Sequence, residues 1–506
     1  MKLFNLFRPK NPQPHPEKLP HYNDTICAKS LKAIFSDCSD LQTRELAVGG
    51  AKTGLVTIFY LDGLVDGNSV SETVVRPLTD AGRCCGENGA RACMDAILKG
   101  AVYCANATEK REMDKLVEAL VQGFTAVVFD REHSALVFET RSGVQRSISE
   151  PTIEKAVKGA KDAFIERLRI NTMLVRRKLR TPKLKMQSCT VGRESGTQLV
   201  IAYVEGIANP KTIEALRLRL DSIDIDGVLA TGNLEEYLSD APRSPFPLIM
   251  HTERPDRFAY NLLDGRVGLL IDGLPLGLLL PATFSEMMRV PEARAQHYAI
   301  ASFLRVLRYF AAFVSVLLPA LYLAIAMYHQ EMLPLKMLLS VIESKQSVPF
   351  STGVEIIGML VAFELLQEAG FRLPSPIGET IGIIGALIVG QSAVEAKVVS
   401  PIAVIVVAMA GIMGYTVPNQ DLSSALRLCR FFMVLCALFG GMFGVMVGLV
   451  LIFYHLCSLE SFGVSYLSPL TGDKPLGIFS MILSVPLRHN KYREEVLETP
   501  NRRNQK

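Results

Sequence analysis

Hydrophobic positions are unevenly spread along the 506 residues. Up to about Arg308, apolar and charged residues alternate in short blocks. From Tyr309 to Leu456, long runs carry almost no charge. A helix crossing the hydrocarbon core of a bilayer needs about 20 apolar residues. Four runs are expected to cross: Tyr309–Tyr328, with Pro319 in its middle, Ile377–Val394, Val398–Val417 and Phe431–Tyr454. A further helical pattern, Val354–Ala369, carries Glu355, Glu364, Gln367 and Glu368. Lipid exposure of three carboxylates is costly. This helix is therefore expected at the interface, partway in, or spanning against a watery cavity.

The first 300 residues pattern as a soluble α/β protein. Gly54–Leu61, Thr125–Asp130, Ser134–Glu139, Gln198–Val204 and Val267–Ile271 are β-rich apolar runs, and Thr152–Lys178 and Pro210–Leu220 have helical spacing, the latter with Asn209 as N-cap. The expected organisation is a flexible polar segment (1–29), two α/β subdomains (30–150 and 151–300), a transmembrane domain (301–460) and a basic cytoplasmic tail (461–506). The fold class is thus an α/β cytoplasmic region plus an α-helical polytopic membrane domain. Met1–Lys29 lacks the apolar stretch of a secretory signal, which leaves the soluble half in the cytoplasm. Arg289, Arg294, Arg305 and Arg308 precede the first apolar run, and Arg488, Lys491, Arg493, Arg502 and Arg503 follow the last. By the positive-inside bias both ends are cytoplasmic and the number of crossings is even. Arg427 and Arg430 conflict mildly with a count of four.

Composition narrows the chemistry. Formal net charge is only +4, there is no tryptophan, and ten cysteines are scattered without paired CxxC spacing, Cys84, Cys85, Cys93 and Cys104 included. They read as free thiols, with no metal site. No phosphate-cradling glycine loop or nucleophile elbow is present, so neither an enzyme nor a cofactor is expected. In TERPD (Thr252–Asp256), Pro255 restricts Arg254 to an extended conformation and opens a helix, a structural role. Asp130, Glu132 and His133 fill a hairpin turn.

Ordered segments over about Gly49–Leu470 carry a likeness. They are YLDGLVD (Tyr60–Asp66), NTMLVRRKLRTPKL (Asn171–Leu184), SPFP (Ser244–Pro247) with TERPD, LLDGRV (Leu262–Val267), the long segment Phe363–Pro401, and HLCSLESFGVSYLSPL (His455–Leu470). The chain resembles the A subunit of the spore germinant receptors, the GerA-type spore germination proteins; a paralogue in the dipicolinate-release machinery shares much of the pattern. Ala293 departs from the acidic residue expected in the linker. The resemblance implies a subunit of the spore inner membrane, working with a transporter-like B subunit and a lipoprotein C subunit. It also implies a homo-oligomeric ring that conducts cations when nutrient binds the partner. A secondary transporter and a non-conducting scaffold stay open as alternatives.

Three groups of residues are candidates. Glu364 and Glu368, one turn apart, Glu379, and the pair Gln391 and Glu395 could line an ion path, or they could be solvated at an interface. Gly378, Gly382, Ala386 and Gly390, and Gly440, Gly444 and Gly448, repeat every four residues and suit close helix packing, within or between subunits. The basic cluster of Arg176, Arg177, Lys178 and Arg180 could touch anionic membrane lipids or be a solvated face. Without interleaved aromatics, no nucleic-acid partner is expected.

Overall fold

The structure is a computed structural model. It describes residues 21–47, 55–79, 107–141, 158–372, 390–471 and 491–504, with a few short pieces between them. The α/β region contains two five-stranded antiparallel sheets. The first, in spatial order β1-β2-β4-β5-β3, is built from β1 (Leu41–Ala47), β2 (Leu55–Leu61), β3 (Ala107–Lys110), β4 (Thr125–Phe129) and β5 (Ser134–Phe138). The second, β6-β7-β9-β10-β8, uses β6 (Leu184–Val191), β7 (Thr197–Val204), β8 (Met250–Thr252), β9 (Val267–Ile271) and β10 (Gly277–Leu280). The apolar runs read from the sequence match β2, β4, β5, β7 and β9 to within a residue at either end.

Alternation along β7 explains the layering of the second sheet. Leu199, Ile201 and Tyr203 join a core with Leu216, Leu220, Leu234 and Leu238, whereas Val200, Ala202 and Val204 face Leu174, Phe258 and Leu262. The flanking helices are α1 (Leu168–Lys178), α2 (Pro210–Ser222), α3 (Thr231–Leu238) and α4 (Pro255–Asp264). Asn209 caps α2 by accepting from the Lys211 amide. Arg254 is extended and Pro255 opens α4, the structural role expected of TERPD. Gly268 and Gly277 leave room for the Phe258 ring, which a Cβ at either position would overlap.

The helix expected over Thr152–Lys178 is confined among the described residues to α1. The chain before it is tied elsewhere: the Phe164 amide donates to Glu253 O at 2.8 Å, the Leu168 amide to Asp272 Oδ1 at 3.0 Å, and the Asn171 side chain brackets Ile165 N and O. A local side-chain bond such as that of Asn171 competes with helix formation, and the other two tie the segment to distant loops.

The C-terminal half is helical, with α5 (Tyr298–Tyr328), α6 (Leu335–Lys345), α7 (Thr352–Arg372), α8 (Pro401–Gly414) and α9 (Gln420–Ser458). Among the described residues α5 and α9 are long and apolar enough to cross a membrane. The run expected as one crossing, Phe431–Tyr454, is not one rod. Gly441 has φ 53°, ψ −136°, outside helical space. Asp421 reaches His251 at 3.1 Å while His455 bonds Ser244 at 2.9 Å. A straight helix would separate Asp421 from His455 by about 50 Å, yet residues 244 and 251 are at most about 25 Å apart along the chain. Helix α9 is therefore a hairpin whose two arms, 420–440 and 442–458, both return to the α/β region. Its apex lies against Tyr328 at the end of α5. Residues 377–389 of the second expected run lie outside the described residues, and α8 has 14 residues, about 21 Å.

Candidate functional site

Where the helical half meets the α/β region, two polar contacts latch the ends of the α9 hairpin. His251, on β8, faces Asp421 of the first arm, and Ser244 Oγ meets His455 Nε2 of the second. Glu235, half-buried on α3, lies near both His251 and Asp421; burial pushes its carboxyl up, with the His251 charge opposing. Ser461 Oγ, just past the hairpin, donates to Leu248 O at 2.7 Å. One stretch of the second α/β unit, residues 244–252, thus receives both ends of the hairpin.

Beside this latch lies a buried charge network. Glu286 pairs with Arg289 at 2.9 Å, Arg289 also with Glu494 at 2.5 Å, and Arg266, 1 % exposed on its side chain, reaches Glu494 at 3.5 Å. Burial would raise the Glu286 carboxyl, but Arg289, backed by Arg266, Arg294 and Arg257, outweighs it and holds it down at about 2. Glu494 is depressed in the same way. The tail is therefore anchored: Arg493 donates to Leu263 O, Asn501 O and Arg503 O. Arg289 and Arg294, counted in the positive-inside reading, are ion-paired within the α/β region, Arg294 with Asp264 at 2.6 Å.

Within the helices the polar groups turn inward. Glu355 on α7, its side chain fully buried, accepts from Ser400 Oγ at 2.9 Å and lies 3.9 Å from Lys345. Arg430, 2 % exposed, donates through Nε to Ser315 O at 2.8 Å and through Nη2 to Ala410 O at 3.0 Å. Ser315 O is the carbonyl that Pro319, four residues on and without an N–H, leaves unbonded. Arg430 thereby repairs the α5 ladder and pins α5, α8 and α9 together. Neither role was read from the sequence. The signal for Arg430 was a charge at the edge of an apolar run, downstream of a mid-helix proline.

The candidates separate on this geometry. Glu364 is paired with Arg427 at 3.1 Å, so its charge is compensated. Glu368, one turn on, has an interaction of its own. Gln391 Nε2 donates to Glu395 Oε1 at 2.9 Å on an exposed surface. Glu379, Gly378, Gly382 and Ala386 lie outside the described residues, and beside Gly390 a Cβ would meet Val404 at an ordinary 3.5 Å. The Gly440, Gly444 and Gly448 stripe is corrected by the hairpin, since it straddles the break at Gly441. Gly444 and Gly448 sit where the arms cross, against Cys436 and Met433, whereas nothing lies within 4 Å of a Cβ on Gly440. The basic cluster is corrected at Arg176, which is fully buried and grips Asp40 at 2.8 Å, so it cannot face lipid. Lys178 pairs with Asp162, and Arg177 and Arg180 are exposed.

The sequence as a whole has relatives among known proteins. Residues 29–496 match the family described as Bacillus/Clostridium GerA spore germination protein. The chain belongs to this family. Spore germination protein KA of Bacillus subtilis is 34% identical over 92% of this chain and 85% of its own length. GerLA of Bacillus cereus is 33% identical over 92% and 95%. The membrane protein YfkQ of Bacillus subtilis is 35% identical over 89% and 87%. The crystal structure of the N-terminal domain of the A subunit of the Bacillus megaterium germinant receptor GerK3 aligns with TM-score 0.41 and 28% identity, over 53% of this chain and 99% of that one.

Proposed function

We propose that this GerA family protein is the A-type subunit of a nutrient germinant receptor in the spore inner membrane. It would act as a non-catalytic relay between its α/β region and its membrane helices. The double attachment of the α9 hairpin to residues 244–252 carries the reading, because a shift of the α/β region must move both arms together. Nutrient binding in a transporter-like B subunit, with a lipoprotein C subunit alongside, would favour one of two arrangements of this junction through contacts that differ between them. A homo-oligomer of such chains would conduct cations. Since Arg427 compensates Glu364, the candidate ion path rests more on the exposed pair Gln391 and Glu395. Each arm of α9 counts as one crossing in this reading, and the α/β region and the end of the chain lie on the spore-core side.

The test is cation flux through liposomes holding the purified chain with its partner subunits and nutrient. Flux that falls in Gln391→Ala and Glu395→Ala but persists in Glu364→Ala supports the reading. No flux from a stably assembled oligomer overturns the conducting role and leaves a scaffold.

A further inference from the structure

On the first turns of α5, three polar atoms are buried without a hydrogen-bond partner: Arg305 Nε, Arg308 Nη1 and Tyr309 Oη. Arg305 is 8 % exposed. The spacing i, i+3, i+4 puts all three side chains on one face of the helix. Among the described residues, the charges acting on Arg305 are Arg289, Arg308 and Glu286, and Glu286 is already engaged by Arg289; Glu292 lies towards Arg308. Ser302, one turn earlier, takes a hydrogen bond from the Ser484 amide at 2.9 Å. An uncompensated buried guanidinium is costly and calls for an anion. On the neighbouring face at the same height, Phe303, Val306, Leu307 and Phe310 are 67, 44, 47 and 59 % exposed.

We propose that Arg305, Arg308 and Tyr309 hold the phosphate of an anionic phospholipid from the leaflet facing the α/β region. Two guanidinium groups and a phenol supply the donors that a phosphate diester accepts, and the exposed apolar side chains beside them receive the acyl chains. The assignment rests on the membrane reading above. It also moves the lipid contact from residues 176–180, where the sequence suggested it, to the base of the first apolar helix.

The experiment is native mass spectrometry of the full chain, purified in detergent and titrated with phosphatidylglycerol, phosphatidylcholine or inorganic phosphate, for the native protein, Tyr309→Phe and Arg305→Gln/Arg308→Gln. Phosphatidylglycerol binding is expected to weaken about fivefold per arginine removed, with a smaller loss in Tyr309→Phe and no change for phosphatidylcholine. Unchanged phosphatidylglycerol binding in both variants overturns the proposal. So does inorganic phosphate that binds through the same residues with no preference for the lipid. Thermal melting checks that the double variant is folded, and Tyr309→Phe carries the test if it is not. Failure of the native chain to insert into vesicles would count against the membrane reading instead.

Discussion

The two halves of the chain solve opposite problems. In the α/β half, every residue of β4, β5, β9 and β10 is buried, and charges such as Arg176 and Arg266 are hidden only with carboxylate partners. In the helical half, Phe439, Phe443 and Tyr454 are 83, 77 and 73 % exposed, while Glu355 and Arg430 are inside. There the hidden charge is satisfied by hydroxyl and carbonyl groups as much as by counter-charge. The contrast fits two solvents: water repels the apolar surface that lipid accepts, and lipid repels the polar groups that water accepts.

The contrast can be broken at four places. The largest effect is expected at Glu286→Gln, which unbalances the buried Arg289 and should cost about 3–5 kcal/mol, read by denaturant unfolding of the α/β signal. The same carboxyl predicts a pH dependence. Because its folded value is held at about 2, below the usual 4.5, its contribution is complete above about 4.5 and is lost as pH falls towards 2. Melting of the native chain should drop over that window more than melting of the Gln variant.

In the helical half, Arg430→Met strands two carbonyls and should cost about 2–4 kcal/mol, measured by melting in detergent. Adding Pro319→Ala returns an N–H to Ser315 O and should recover about 1 kcal/mol; no recovery would refute the repair. Gly444→Ala drives a methyl into the Cys436 carbonyl and should destabilise the hairpin by about 1–3 kcal/mol, whereas Gly440→Ala, with open space around it, should be neutral or slightly stabilising. Equal effects at the two glycines would sink the hairpin. Smallest is Ser244→Ala at the latch, about 1 kcal/mol, visible as faster proteolysis between residues 455 and 471.

Strands were legible because a buried sheet writes itself as short apolar runs, as at β4 and β5. The α9 hairpin was hidden because hydropathy does not register φ: the pair Gly440–Gly441 reads as two more apolar positions inside a run. Arg176 was misplaced because its partner Asp40 is 136 residues away. Glu364 was left open between an ion path and a solvated interface, and its neutralising Arg427 lies 63 residues on. What the sequence lacked for these two charges was pairing at a distance, which one chain without its fold does not record.

The anchored tail sets an order on biosynthesis. Arg266 and Arg289 emerge from the ribosome with the second sheet, but Glu494 follows 228 and 205 residues later, after helices α5 to α9. Until it arrives, among the described residues Arg289 has Glu286 alone to pair with and Arg266 has only its neutral hydrogen-bond partners. The last carboxylate of the cluster thus belongs to a different part of the chain from the arginines it joins.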